Sequence, residues 1–197
     1  MIEAEVSIKG ARPMFWHRFD MDALSGKPKE KTGVAGNDPE EWRRTHTATK
    51  DGQLYIDPTY VFSCLREAGR YTKKGVSSIQ KQVAATLQVL DDLILVDRWI
   101  PVEPTYEQDK PVYIDVRSVV NPKTKGRNIR YRIACSSGWT TTFHILWDET
   151  IVSRPQMESV IIDAGKLVGL GDARNIGFGR FKLLSFKVQS YAEKKTS

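Results

Sequence analysis

The chain has 197 residues, 40% hydrophobic and 10% aromatic, which suits one elaborated domain with a full core and leaves a second complete domain cramped. No apolar run is long enough to span a bilayer, and the acidic start Met1-Ile2-Glu3-Ala4-Glu5 lacks the basic beginning and apolar centre of a signal peptide; a cytoplasmic protein with no membrane partner is expected. The formal charge is +6, and the window Arg117 to Arg132 alone holds six basic residues, Arg117, Lys123, Lys125, Arg127, Arg130 and Arg132, with no Asp or Glu, which implies an anionic partner.

Ile2, Ala4, Val6 and Ile8 alternate with Glu3, Glu5, Ser7 and Lys9, the period of a half-buried strand ending at Gly10. Arg12 to Phe19 is an aromatic and basic run too irregular for a clean element, and Ser25 to about Asp38 turns to Gly, Lys, Pro, Ser and Thr, the composition of a mobile surface loop. Pro39 to Arg44 fits one helical turn, and Leu54 to Ile56 a short extended piece after the Asp51-Gly52 turn. Asp57 then caps and Pro58 opens a helix with Val61, Cys64, Leu65 and Ala68 inward. Gly69 to Gly75 interrupts it, and a second helix is expected from Ser77 to Leu90 with Ile79, Val83, Leu87 and Leu90 inward. Leu93 to Val96 and Trp99 to Val102 read as extended.

The segment from Val112 to Trp147 reads as three strands. Val112 to Asn121 and Asn128 to Ala134 flank the tip Pro122 to Arg127 as a hairpin, and Arg130 and Arg132 share one face of its second arm, opposite Ile129, Tyr131 and Ile133. A cationic stripe along that ribbon is expected. The third strand alternates Trp139, Thr141, Phe143, Ile145 and Trp147 against Thr140, Thr142 and His144 and belongs in the main sheet. Cys64 and Cys135 fit reduced, buried thiols, and no CxxC or Cys/His cluster suggests zinc or another cofactor.

Ser153, Pro155 and Gln156 form a helix start of the capping-box kind, after which Met157, Val160, Ile161, Ala164 and Val168 mark one helical face. Gly169 follows as a natural helix end. From there Gly169, Gly171, Gly177 and Gly179 make a G-x-G-x5-G-x-G loop with Arg174, Asn175 and Arg180 beside it as phosphate or base donors, before a short apolar strand from Phe181 to Val188. The order helix, glycine loop, strand is the reverse of a dinucleotide fingerprint or P-loop, which disfavours a nucleotide cofactor.

Without its insertions the chain runs strand, helices, strands, helix, glycine loop, strand, the βαββαβ order of an α+β, ferredoxin-like (RRM-like) core with an antiparallel sheet, long loops and an inserted basic hairpin at 112–134. With the glycine loop in that position, and Phe178, Phe181, Ile8-Lys9-Gly10, Pro13 and His17-Arg18-Phe19 in support, the chain resembles the RAMP superfamily, the ferredoxin-like proteins of CRISPR systems and their relatives in mobile elements. Within that superfamily it looks most like the backbone subunit that polymerises along guide RNA, or a compact relative. The resemblance implies a single RAMP-like domain over 1–197 that binds a strand through the glycine loop, sheet edge and hairpin. It also implies homo-oligomers or filaments along the strand, and other effector-complex subunits as further partners.

The expected function is therefore single-stranded RNA or DNA binding, without catalysis and without sequence specificity. Lys123, Lys125, Arg127, Arg130 and Arg132 would neutralise phosphates, with a log–log salt slope of about −3.5 for five contacts. Gly169 to Gly179 would pack backbone against the strand, Arg174, Asn175 and Arg180 would donate, and His17, Arg18, Arg43, Arg44 and Arg117 would line the route. Phe15, Trp16 and Tyr131 are candidates for base stacking. One alternative is a metal-independent RAMP endoribonuclease, with His17 as base and Tyr71, Lys73 and Lys74 completing its site. The other is an assembly protein whose basic hairpin meets an acidic protein partner.

Overall fold

The computed structural model describes residues 1–19, 38–120 and 125–191, apart from the side chain of Lys74. The expected loop from Ser25 to Asp38, all but its last residue, and the hairpin-tip residues Pro122 and Lys123 lie outside them.

In chain order the elements are β1 (Ile2–Gly10), β2 (Met14–Phe15), α1 (Trp42–Thr45), β3 (Gln53–Ile56), α2 (Pro58–Ala68), β4 (Lys73–Lys74), β5 (Ser77–Ser78), α3 (Gln80–Thr86) and β6 (Gln88–Val89). There follow β7 (Ile94–Trp99), β8 (Val112–Val120), β9 (Arg127–Cys135), β10 (Thr140–Trp147), α4 (Arg154–Asp163), a π-turn (Ala164–Val168), a 3-10 turn (Arg174–Ile176) and β11 (Phe181–Ser190).

The main sheet has the order β11-β1-β10-β7-β3, with β6 also on β10. Taking β1, β7, β10 and β11 as the four core strands, the spatial order is fourth, first, third, second, all antiparallel, as a ferredoxin-like core requires. The strand alternation read from β1 and β10 holds: Ile2, Ala4, Val6, Ile8, Trp139, Phe143, Ile145 and Trp147 are all buried. Helices α2 and α4 contribute Val61, Cys64, Leu65, Ala68, Met157, Val160 and Ile161 to the same core. Asp57 caps α2 by accepting from the Thr59 N–H at 2.8 Å, and Gln156 Oε1 accepts from the Ser153 N–H at 3.0 Å. Cys64 and Cys135 are free and buried, and burial pushes both thiols up to about 12.

The second helix is shorter than expected. Ser77–Ser78 pair with Lys73–Lys74, and Gln88–Val89 are drawn into a ladder with Ile145 and Leu146 of β10. Leu90, whose N–H donates to the His144 carbonyl, leaves the helical face and is 38% exposed rather than buried. Tertiary pairing overrides helical periodicity here. Of the two extended pieces expected, Leu93 to Val96 falls in β7 from Ile94 onward, whereas Trp99 to Val102 does not form a strand of its own, because β7 ends at Trp99.

Hairpin β8–β9 departs from this core between its second and third strands and forms a separate sheet of order β2-β9-β8. Met14 and Phe15 pair with Cys135 and Ala134 at its root. The segment after β1, irregular in sequence, is thus a short strand that ties the hairpin to the core.

Candidate nucleic-acid interface

The glycine loop sits between the hairpin root and α2. All four of its glycines take positive φ, from +68° to +92°. At Gly179 a Cβ would lie 1.7 Å from the Leu170 carbonyl oxygen, and at Gly171 a Cβ would lie 2.5 Å from the Phe15 carbonyl oxygen. These close approaches are to the protein's own backbone. The Asp172 N–H donates to the Phe15 carbonyl at 2.8 Å and the Gly179 N–H to the Pro13 carbonyl at 2.7 Å, so the loop is stitched to β2 and its approach. Gly177 differs, with nothing within 4 Å of a Cβ built there.

Phe15 and Phe178 stack at 4.2 Å between ring centroids, and the guanidinium of Arg117 lies 4.8 Å from the Phe178 centroid. The buried carboxylate of Asp115 accepts from Arg117 Nε at 2.8 Å and from Arg132 Nη2 at 3.3 Å. Arg132 Nη1 then donates to Asp172 Oδ2 at 2.7 Å, joining the hairpin to the glycine loop. Across the second arm, Glu41 is the hub: its Oε1 accepts from Arg130 Nη1 at 2.5 Å, its Oε2 accepts from the Tyr131 N–H at 3.0 Å, and His17 Nε2 lies 3.3 Å from Oε1. Burial alone would raise the Glu41 pKa, but these three donors outweigh it and hold the carboxyl at about 2.

The expected cationic stripe is therefore corrected. Arg132 is 2% exposed and its role is to bridge two carboxylates inside the fold, so it is not available to phosphate. Arg117 and Arg130 are partly exposed but ion-paired. The window from 117 to 132 lacks acids, yet folding brings Asp115, Asp172 and Glu41 against it. Phe15 and Trp16 are likewise buried, which removes them as stacking surfaces; Trp16 Nε1 donates to the Tyr55 carbonyl at 2.8 Å.

Two grooves flank the loop. One, of about 670 Å³, is lined by Tyr60, Glu67 and Tyr71 on the α2 side and by Gly171, Arg174 and Arg180 on the loop side. The other, of about 500 Å³, lies over Arg117 and Arg130 of the hairpin. His17, Asp172, Ala173 and Asn175 line both, so the two grooves adjoin at the loop. The fold thus gathers His17, Arg117, Arg130, Gly171, Arg174, Asn175 and Arg180 from four separate stretches of sequence.

Among the described residues, neither Arg174 nor Arg180 has a carboxylate within ion-pair distance, and the same holds for Lys125 and Arg127, both exposed near the hairpin tip. Arg43 and Arg44 pair with Glu40 and Asp38 of their own segment, and Arg18 is exposed beside them. Lys123 lies outside the described residues. The sequence reading missed Asp115, Asp172 and Glu41 as neutralising partners, and Tyr60 as a lining residue. For Tyr60 a signal existed: Tyr60 and Glu67 are seven apart on the helix that Asp57 caps, so they share one side of it.

Comparison with known proteins agrees with this architecture. A chain in the cryo-EM structure of the Type III-B Cmr-beta bound to cognate target RNA is similar to it with a TM-score of 0.53 and 14% sequence identity, over 97% of this chain and 61% of that one. A chain of a Type IV-B CRISPR complex matches with a TM-score of 0.47 and 14% identity, over 99% of this chain and 93% of that one. The protein therefore spans about three-fifths of the length of the Cmr-beta chain. No family model matches the sequence, and no curated protein matches it. The fold shared with the Cmr-beta chain is α+β and ferredoxin-like.

Proposed function

We propose that this protein binds single-stranded nucleic acid as a CRISPR-associated RAMP subunit, with repeated copies along one strand. The observation that carries the reading is the pair of adjoining grooves on the two sides of the glycine loop, one collecting Arg174, Arg180 and His17 and the other lying on the hairpin that bears Lys125 and Arg127. A basic path with aromatic faces beside it suits a single strand. The fold shared with a chain of an RNA-bound Cmr-beta complex supports RNA as the strand and other effector subunits as partners. Val116 and Val120, exposed on the hairpin, offer apolar surface to a neighbouring copy. We take the protein to be a binder rather than a nuclease, with His17 contributing to the strap in which Glu41 also holds Arg130 and the Tyr131 N–H.

The test is binding of the purified protein to labelled single-stranded RNA, single-stranded DNA and duplex across a salt series, with the same gels scored for cleavage in EDTA. Among the described residues, the unpaired cations Lys125, Arg127, Arg174 and Arg180 contribute about −2.8 to the log–log salt slope on a single strand. Replacing Lys125 and Arg127 by alanine should flatten the slope by about 1.4. Absence of any shift would overturn the reading in favour of a protein-assembly role. EDTA-resistant RNA cleavage lost in His17→Ala would make it a nuclease.

A further inference from the structure

On the hairpin side of the glycine loop, the aromatic rings are already occupied: Phe15 and Phe178 stack on each other, with Arg117 against them. The α2 side is different. Tyr71 is 49% exposed and Tyr60 half-buried, and both line a groove of about 670 Å³ that also takes in Arg174 and Arg180. Sites of this volume with a few placed polar groups commonly hold small ligands.

Resting on the single-strand reading above, we propose that the α2 side of the groove is a subsite for one unstacked nucleotide, its base against Tyr71 and Tyr60 and its phosphate at Arg174 and Arg180. The charges favour an anion there. The two carboxylates that line this groove are both engaged elsewhere, Glu67 with Arg70 at 2.8 Å and Asp172 with Arg132 at 2.7 Å, whereas Arg174 and Arg180 have no such partner among the described residues. The Tyr60 hydroxyl, like any tyrosine's, is protonated at neutral pH and can donate toward a base edge. The ring faces supply stacking that every base can use, consistent with binding that ignores sequence.

The experiment has two arms on wild-type protein and on Tyr71→Leu and Tyr71→Phe, all with an oligouridine strand. In the first, titration across salt should show Tyr71→Leu binding about tenfold weaker with an unchanged salt slope, since stacking releases no counterions, while Tyr71→Phe stays within about twofold of wild type. In the second, a strand carrying 5-iodouridine, irradiated on the wild-type protein, should crosslink to the segment containing Tyr71 or Tyr60. This arm needs no variant to fold. Wild-type binding with crosslinks only elsewhere, or with Tyr71→Leu unchanged in affinity, would overturn the subsite and leave the binding function standing. Failure of the wild-type protein to bind any strand would overturn both.

Discussion

The two sides of the glycine loop carry similar guanidinium groups and put them to opposite uses. On the hairpin side, Arg117, Arg130 and Arg132 meet Asp115, Glu41 and Asp172, so three cations are balanced by three carboxylates, and the cluster holds the hairpin in place. On the α2 side, Arg174 and Arg180 face a groove with their charge unbalanced by any described carboxylate. A charge inside the fold stabilises it only when paired, whereas a binding charge must be left without a partner until the ligand arrives. Charge density along the chain cannot separate the two cases.

The largest expected effect that would sharpen this contrast is on stability. Asp115→Asn strips the buried carboxylate from Arg117 and Arg132 and should cost about 3–5 kcal/mol, lowering the melting temperature by roughly 10 °C. Arg174→Gln should change stability by less than about 0.5 kcal/mol in the same thermal or urea melts. Equal losses would break the comparison.

The glycines give a second contrast of intermediate size. Gly179→Ala places a Cβ 1.7 Å from a carbonyl oxygen in a left-handed backbone and should cost roughly 3 kcal/mol, whereas Gly177→Ala meets only the φ penalty, about 1–2 kcal/mol. Urea midpoints of the two variants measure the difference. Similar midpoints would mean that the loop is not held against the core as described.

A third contrast is a pH dependence carried by the hairpin side. The Glu41 carboxyl is held at about 2, below its ordinary 4.5, so its stabilising contribution is fully present above about pH 4.5 and is lost as pH falls toward 2. Glu41→Gln should therefore flatten the decline in stability over that window, read from melts at several pH values. A profile identical to wild type would remove Glu41 as the strap between the residue preceding α1 and β9.

By itself the sequence determined the strand and helix faces, the position of the hairpin and the glycine loop, and hence the ferredoxin-like order. Those features rest on local periodicity and turn chemistry, as at Ile2, Ala4, Val6 and Ile8 in β1 and at Asp57 before α2. Only the tertiary structure decided that Leu90 belongs to a ladder with β10, that Phe15 and Trp16 are core, and that Arg132 is buried between Asp115 and Asp172. The reason is the range of the forces. Asp172 lies forty residues from Arg132, and Glu41 lies eighty-nine from Arg130, so nothing in a local window reports which cation has found its partner and which still faces the groove.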